Sequence, residues 1–470
     1  MALTLFDHQK YILDLLTEND RYMVLAEQGT GKTLPLLIHL SNLIMAGDVG
    51  GALIMAPLSG LGSWQRDIGK LSPERQRLLT RHVTLMNYDK ISRKDSKWQR
   101  VNWKEWDAIV LDEGHAIAKP SSNRTKYFVG QGKQLGLASM AKYRYLLTGT
   151  LIANSRLEDL WAPLRFILDD EWLSWSEFKR EYLVCKNIPG SYAEMVIGYR
   201  HREELLDLVS RYSYRVLKKD CLDLPEEMPD EVITVPWAEG KNAEPFAKSS
   251  EALYEDALES YIEALDKVMD NPLSRRLALR QIATGHIKEA DTIDENEKKV
   301  RGTTYSIKSN KARYAMELIE NNLPHKTVVG YVFRATCAAM EKALTTKKIP
   351  YVVLNGDQKD KNIWKEFQSD ERIKVILVQY QSGASSIDLY ASSYTILMEP
   401  MDSSTIHEQF RARTHRNGQT QPCNYVYLLT ENSVEEDMYK RLCSHQDFGE
   451  EAWKEVAEKA RKRLKERAKR

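Results

Sequence analysis

Five short apolar runs, each followed by a stretch of helical character, fill residues 1–167, and five more fill the region from Lys311 to about Leu429. The first set is "YMVLA", "GALIMAP", "HVTLMN", "WDAIVLDE" and "YRYLLTGT"; the second is "KTVVGYVF", "PYVVLNG", "IKVILVQY", "SYTILMEP" and "CNYVYLL". Apolar runs of strand length alternating with helices are the rhythm of a parallel sheet joined by crossover helices. The expected fold class is therefore α/β: two parallel-sheet lobes with helical protrusions between them and a C-terminal helix. Residues 1–167 are expected to form lobe one. Residues 168–224, rich in aromatics on helical spacing ("WLSWSEFKREYL"), read as its helical protrusion. Residues 225–310 read as a Pro-bearing linker and a helical protrusion of lobe two, which itself covers 311–445. Within 225–310, Leu253, Ala257, Leu258, Tyr261, Ile262 and Leu265 share one helix face; "HIKEADTIDENEKKVRGTTYSIKSNK" reads as an exposed, mobile loop. Residues 446–470 read as a basic helix ending in "KARKRLKERAKR", with eight basic residues and one acidic. Its tip suits either plain solvation or a grip on phosphates.

The first apolar run leads into "LAEQGTGKT", Leu25–Thr33. The spacing fits a phosphate-binding loop, G-x-x-x-x-G-K-[ST], except that Ala26 stands where the first Gly is usual. Gly29 and Gly31 allow a tight turn and close approach of backbone to ligand. Successive N–H groups at a helix start then cup phosphate oxygens. Lys32 is placed to reach the β- and γ-phosphates and Thr33 to offer its hydroxyl to Mg²⁺. The plain alternative is a Gly-rich turn with no ligand.

A second site lies at "AIVLDEGH", Ala108–His115. Ligands in such sheets sit at the carboxyl ends of strands. Asp112 is placed to hold Mg²⁺, usually through water, and Glu113 to orient the attacking water. Phosphoryl transfer needs both, because it is chiefly positioning and charge neutralisation. His115 reads as structural, or as a link to the next segment. Near the end of the second lobe, "HEQFRARTHRNGQ" carries Arg413 and Arg416 three apart, so they are expected on one side of a helix. They suit a cation finger for the γ-phosphate; the bland reading is a basic surface helix.

Composition narrows the setting. The chain has 470 residues, 42% hydrophobic and 29% charged, with a formal net charge of only +1. That fits a globular protein with local basic patches rather than an overall positive coat. The five cysteines form no C-x-x-C pair. They suggest neither a disulfide framework nor a zinc site. No apolar run approaches the ~18 residues of a membrane span, and the N-terminus lacks the pattern of a signal peptide. An intracellular protein without membrane attachment is expected.

Taken in order, these segments resemble the Swi/Snf-like ATPases of helicase superfamily two, over nearly the whole chain. The resemblance is carried by "DHQKYI", "AEQGTGKT", "MAPLSGLGSWQRDI", "DEGHAIAKPSSNRTK", "LLTGTLIANSRLEDLW", "RVLKKDCLDLPEEM", "VILVQYQSGASSIDLYAS" and "QFRARTHRNGQ". It implies two RecA-like lobes that bind ATP and Mg²⁺. Gln9 becomes the adenine reader, joining Ala26, Glu27, Gln28, Gly29, Thr30, Gly31, Lys32 and Thr33 in the ATP site. Lys32, Asp112, Glu113, Arg413 and Arg416 become the catalytic set, with Thr33 and Asp112 on Mg²⁺. Pro57, Trp64, Asn87, Tyr88, Thr148, Gly149, Thr150, Ser382 and Gly383 match the family's DNA-contacting positions. Ser385 and Ser386 depart from the family near Gly383, where glycine is usual. No chromatin-reading module is visible, and the linker "KKDCLDLPEE" with the compactness resembles phage and prophage versions.

The resemblance implies ATP-driven tracking along duplex DNA that remodels branched DNA, by fork or junction migration, or displaces bound proteins or strands. Expected partners are double-stranded or branched DNA and replication or recombination proteins, with the chain a monomer. Two other readings stay open: a strand-separating DNA or RNA helicase, and the motor subunit of a defence or restriction assembly.

Overall fold

The computed structural model describes residues 4–58, 60–92, 106–130, 134–149, 151, 156–168, 172–187, 194–266, 272–289, 292–293, 299–300, 302–358, 362–383, 387–444 and 462. The chain divides into two compact units, Met1–Asp223 and Leu224–Arg470. The first holds strands β1 (Arg21–Ala26), β2 (Ala52–Ala56), β3 (Val83–Asn87), β4 (Ala108–Asp112), β5 (Tyr143–Thr148), β6 (Leu183–Asn187), β7 (Glu194–Tyr199) and β8 (Ser213–Val216). Six of these form one sheet in the order β3-β2-β4-β5-β1-β8, and every pairing in it is parallel.

The apolar runs explain the burial. All residues of β2, β4 and β5 are buried, as a sheet covered by helices on both faces requires. The helix Thr33–Ala46 contributes Leu36, Leu37 and Leu40 to one face, with Trp64, Leu79 and Tyr145 beside them. The other face packs on Phe128, Leu160, Phe166 and Phe178.

The second unit holds β9 (Glu231–Val235), β10 (His286–Lys288), β11 (Thr292–Ile293), β12 (Lys299–Val300), β13 (Thr304–Ser306), β14 (Thr327–Tyr331), β15 (Tyr351–Leu354), β16 (Val375–Gln379), β17 (Tyr394–Leu397) and β18 (Asn424–Thr430). Its main sheet runs β15-β16-β14-β17-β18-β9, again wholly parallel. The α/β class with two parallel sheets is thus observed.

Three segments differ from the sequence reading. β8 and β9 come from stretches expected to be helical protrusion and linker, and each completes the edge of a main sheet. β6 and β7 form an antiparallel hairpin inside the expected helical protrusion. The polar stretch after His286 is not simply a loop: β10 pairs with β13 and β11 with β12, both antiparallel. In the helix Ser250–Asp266, Leu258, Tyr261 and Ile262 are buried, with Leu253 and Ala257 packed against them. The basic C-terminal helix expected over 446–470 lies outside the described residues, apart from Lys462. Among the described residues no helix is long and apolar enough to cross a membrane.

The core of the second unit contains a buried ion pair. Lys311 Nζ lies 2.6 Å from both carboxylate oxygens of Glu435 and donates to the Met398 carbonyl at 2.7 Å, and both side chains are 2% exposed. Nearby, Glu399 accepts the Val332 N–H at 2.9 Å and the Thr336 hydroxyl. Burial pushes the Glu399 carboxyl up to about 7, against the lowering effects of Lys311, Thr336 and the Val332 amide.

The folded state therefore holds this proton more tightly than the unfolded chain. The stability it contributes is fully present below the ordinary carboxylate pKa near 4.5 and is lost as pH rises through about 7. Glu399→Gln should remove that dependence. Relative to wild type, the variant should gain roughly 3 kcal/mol between pH 4.5 and 7. Denaturant unfolding of both proteins across that range checks this; parallel pH profiles would contradict it.

Candidate functional site

β1 ends at Ala26, fully buried, and the loop that follows turns on Gly29 and Gly31, whose φ angles are +90° and +79°. Both lie in the region that favours glycine. At Gly31 the reason is also steric: a Cβ there would sit 2.3 Å from Gln9 Nε2. Gln9 donates to the Gly31 carbonyl at 3.0 Å and accepts the Phe6 N–H at 3.0 Å. His8 Nε2 lies 2.7 Å from the Thr30 carbonyl. The helix Asp7–Glu18 therefore holds the loop from one side. From within, the Thr30 hydroxyl donates to the Glu27 carbonyl at 2.8 Å. Glu27 also accepts the Lys218 N–H at 2.8 Å through its carboxylate. Thr33 begins the helix Thr33–Ala46, so the loop ends at a helix N-terminus.

Lys32 is nearly buried. Its Nζ is 3.4 Å from the Ala26 carbonyl and 3.7 Å from Glu113 Oε1. Gln28 Nε2 donates to the same Glu113 oxygen at 3.1 Å, and His115 Nδ1 lies 3.5 Å from the other. The Gly29–Gly31 loop and the strand-end acids are thus one cluster, although β5 stands between β1 and β4 in the sheet. The end of β5 fills the gap: a Cβ on Gly149 would lie 3.5 Å from the Ala26 carbonyl and 3.7 Å from the Gln28 amide. His115 Nδ1 is also 3.5 Å from the Thr148 hydroxyl.

Asp112 is buried at the end of β4. Its Oδ2 accepts the Trp64 Nε1–H at 2.8 Å and its Oδ1 accepts the Glu113 N–H at 3.0 Å. Burial pushes its carboxyl up to about 6, against the lowering effect of Lys32. Glu113 has φ +52° and ψ +58°, the left-handed region. A non-glycine residue there costs on the order of 1 kcal/mol and persists where surrounding structure fixes it, commonly at functional sites. Gly114 follows because nothing larger fits without displacement: a Cβ would meet Leu146 Cδ2 at 2.4 Å. Burial lowers the His115 imidazole, which Glu113 opposes.

Several expected DNA contacts are placed elsewhere. Trp64 is 0% and Tyr88 3% exposed, so neither ring reaches a ligand on the surface. Tyr88 donates its hydroxyl to the Asp112 carbonyl at 2.8 Å. Thr148 is fully buried and Asn87 is 8% exposed. Pro57, Gly149 and Ser382 are half-buried. Gly383 ends the short helix Tyr380–Gly383. Thr150, Ser385 and Ser386 lie outside the described residues.

Arg413 and Arg416 are not on a helix. The helix Ser404–Arg411 stops before them. The Arg411 carbonyl is taken by the hydroxyls of Thr414 and Tyr425, at 3.1 and 3.0 Å, and the turn closes at Gly418, φ +103°. Both arginines sit in that turn, half-buried. Arg416 donates to the Ile387 carbonyl at 3.1 Å and is ion-paired with Asp388, while the Arg413 carbonyl accepts the Leu389 N–H at 2.8 Å.

Sequence reasoning missed the cluster that holds this turn. Arg411 reaches Asp230 at 2.6 Å and Glu227 at 2.7 Å, and lies 3.9 Å over the Tyr425 ring. His415 contacts the Pro225 carbonyl at 2.8 Å and Glu227 at 2.7 Å. Burial would raise the Glu227 carboxyl, but hydrogen bonds from His415 and Arg411 and the Arg411 charge hold it at about 2. The signal was present as Glu227 and Asp230 in "LPEEMPDE" and Arg411 and His415 in "RARTH", but nothing local joins segments so far apart.

Residues 8–283 match the SNF2-related domain, and residues 310–418 match the helicase conserved C-terminal domain. The chain belongs to the SNF2-related family. It is 25% identical over 523 residues to the DNA excision repair protein ERCC-6-like of Danio rerio, covering 93% of this chain and 35% of that protein. It is 25% identical over 455 residues to an uncharacterized ATP-dependent helicase of Mycoplasma genitalium, covering 92% and 40%. Against the SWI/SNF chromatin-remodeling complex subunit snf22 of Schizosaccharomyces pombe the identity is 24%, covering 93% and 27%. The chain thus spans about two fifths or less of the length of these relatives. The solved SWI2/SNF2 ATPase core of Sulfolobus solfataricus in complex with dsDNA aligns over 94% of this chain and 91% of that chain, at 21% identity and a TM-score of 0.40.

The Arg411 cluster gives a direct test. Arg411→Ala leaves two carboxylates without their shared cation and should destabilise the protein by about 3 kcal/mol. Arg411→Lys should recover little, because a compact ammonium cannot fork between Glu227 and Asp230 while lying on Tyr425. Urea titration of the three proteins checks both; a lysine variant as stable as wild type would contradict the geometry.

Proposed function

We propose that the chain is an ATP-driven duplex-DNA translocase that remodels branched DNA or displaces bound strands and proteins. The observation that carries this reading is the approach of Lys32 and Gln28 to Glu113 at the joined strand ends, in a chain of the SNF2-related family. Lys32 supplies the cation for the β- and γ-phosphates. Glu113, held at left-handed φ and touched by Gln28, orients and polarises the attacking water. Gln9 reads the adenine, and the loop from Ala26 to Thr33 cups the phosphates. Arg413 and Arg416 supply charge stabilisation in the transition state.

The residues fit Mg²⁺. Among the described residues no group of three or more His, Cys, Asp or Glu could hold a metal. The chain offers one carboxylate, Asp112, and one hydroxyl, Thr33, and Mg²⁺ takes the rest of its shell from phosphates and water. Both Asp112 oxygens already accept N–H bonds, which suits a cation held through water. When bound, the ion neutralises charge developing on the phosphate oxygens.

DNA is the assigned track. Pro57, Gly149, Ser382 and Gly383 remain assigned to its backbone, whose contacts position without reading sequence. Asn87 is assigned with them, whereas Trp64, Tyr88 and Thr148 are buried. A phage-like or prophage-like setting inside a cell is assigned, with the chain acting as a monomer. Replication or recombination proteins are its assigned partners. A motor subunit of a defence assembly would share the same chemistry.

A second reading, strand separation, gains support from the β6–β7 hairpin, which exposes Met195 and Ile197. Apolar side chains on a hairpin are the kind of feature a wedge uses.

Two outcomes test the proposal. Glu113→Gln should bind ATP with near wild-type affinity and lose turnover by about a hundredfold or more, since an amide cannot polarise water as a carboxylate does. Nucleotide binding and single-turnover hydrolysis measured on one preparation separate these effects. The second concerns output. Junction migration exchanges broken pairs for new ones at nearly neutral cost, whereas net unwinding costs on the order of 1–2 kcal/mol per stacked step. Forks or four-way junctions should migrate with ATP, and a third strand should be displaced, while a simple tailed duplex stays paired. Efficient unwinding of the tailed duplex without junction migration would favour the helicase reading.

A further inference from the structure

Asp112 receives two aromatic donors from two neighbouring strand ends. Trp64 sits on the helix Leu61–Gly69, which follows β2, and gives its Nε1–H to Asp112 Oδ2 at 2.8 Å. Tyr88 follows β3 directly and gives its hydroxyl to the Asp112 carbonyl at 2.8 Å. In the sheet, β3, β2 and β4 are consecutive, so adjacent ribbons reach across onto one residue. One donor fixes the carboxylate and the other fixes the peptide that leads to Glu113.

Both donors are rigid and enclosed. Trp64 packs in the core with Leu71, Leu79 and Ala56. Tyr88 packs edge-on to Phe128, with rings 6.4 Å apart, and Arg124 lies 5.7 Å over its face. Buried Trp and Tyr find partners for their polar tips, and with two side-chain torsions each they hold a direction. A shift of either backbone therefore moves the hydrogen bond rather than being absorbed by a flexible side chain.

The segments that carry these donors also reach the surface. Pro57 and Gly60 close a turn through a 2.8 Å hydrogen bond, with Leu58 66% exposed between them. A Cβ on Gly60 would lie 3.7 Å from Asp112 Oδ2, so the turn itself abuts the carboxylate. Asn87, next to Tyr88, has a buried side-chain oxygen with no hydrogen-bond donor among the described residues. Such an orphaned acceptor calls for an explanation, and a donor gained on rearrangement supplies one.

We propose that Trp64 and Tyr88 are positioning residues through which duplex DNA, engaged at Pro57, Leu58 and Gly60 and at Asn87, sets the orientation of Asp112 and Glu113. The proposal rests on the duplex-motor reading. It converts two residues first assigned to DNA contact into the link between the DNA side and the nucleotide side of one unit.

The test uses the full chain with Trp64→Phe and Tyr88→Phe, which keep ring volume and delete one donor each. Two quantities are read. One is the factor by which a blunt duplex stimulates ATP turnover. The other is the factor by which Mg²⁺–ATPγS changes duplex affinity, from fluorescence anisotropy. Because coupling between two sites is reciprocal and typically amounts to 5- to 150-fold, both factors should fall by about fivefold or more, toward one. Duplex affinity without nucleotide should stay within about twofold, since neither ring reaches the surface. Melting temperature reports folding, and if Trp64→Phe does not fold, Tyr88→Phe decides. A folded variant with both factors unchanged overturns the proposal. So does a loss of nucleotide-free duplex affinity as large as the loss of stimulation. A wild-type protein that duplex DNA does not stimulate sinks the motor reading itself, before any variant is made.

Discussion

A carboxylate buried at the end of a strand must be supplied with donors, and the first unit is arranged around that requirement. Asp112 lies at the end of β4, out of water, where an unpaired charge would cost several kcal/mol. The indole of Trp64, the amide of Glu113 and the nearby Lys32 charge supply what water would have given. Each donor comes from a different segment. Fixing Asp112 therefore fixes β2's outgoing helix, the backbone of Glu113 and the phosphate loop together. The left-handed φ of Glu113 follows, because its N–H must turn back to Asp112 while its side chain meets Gln28 and Lys32.

The second unit repeats the sheet but not this use of it. Its buried Lys311 and Glu435 form an ion pair, and the neighbouring Glu399 carboxyl accepts from Val332 and Thr336. Lys311 Nζ is filled by Glu435 and a backbone carbonyl, and Glu435 also takes the Thr430 N–H at 2.8 Å. This network ties the helix Lys311–Asn322 to the ends of β17 and β18. A saturated network of that kind specifies packing, whereas the first unit keeps Lys32 and Glu113 3.7 Å apart, longer than a hydrogen bond.

What could be read from the sequence was what short spacing encodes. The Gly-rich turn after β1, the acid pair at the end of "AIVLD" and the parallel strands were legible because each is written within ten residues. The family pattern added order but not burial. Trp64 and Tyr88 suited DNA contact because an aromatic donor serves a phosphate or a buried carboxylate equally well; only tertiary packing decides. The three-residue spacing of Arg413 and Arg416 suggested a helix, and the Arg411 carbonyl does still accept the His415 N–H at 3.2 Å; the Thr414 N–H and the hydroxyls of Thr414 and Tyr425 share that same oxygen, and Tyr425 belongs to another element. β9 was readable in principle: "EVITV" is rich in β-branched residues and bounded by Pro229 and Pro236. Its neighbours' resemblance to a linker hid it.

The segment between the two edge strands, residues 217–230, is fastened at both ends. At its start the Lys218 N–H is held by Glu27 of the loop after β1 at 2.8 Å, while the Glu27 N–H donates to Val216 at 3.0 Å. At its end Glu227 and Asp230 are held by Arg411 and His415, beside the turn that carries Arg413 and Arg416. Four charge-assisted contacts on a short connector would be an odd way to stabilise a surface loop, since exposed ion pairs contribute little. On the basic side these are largely enclosed, with Arg411 17% and His415 13% accessible at the side chain, while Glu227 is 33% accessible. The connector therefore cannot shift at its start without moving Glu27, or at its end without moving Arg411 and His415, which flank Arg413. That coupling within each unit is a property of the chain itself, independent of any ligand.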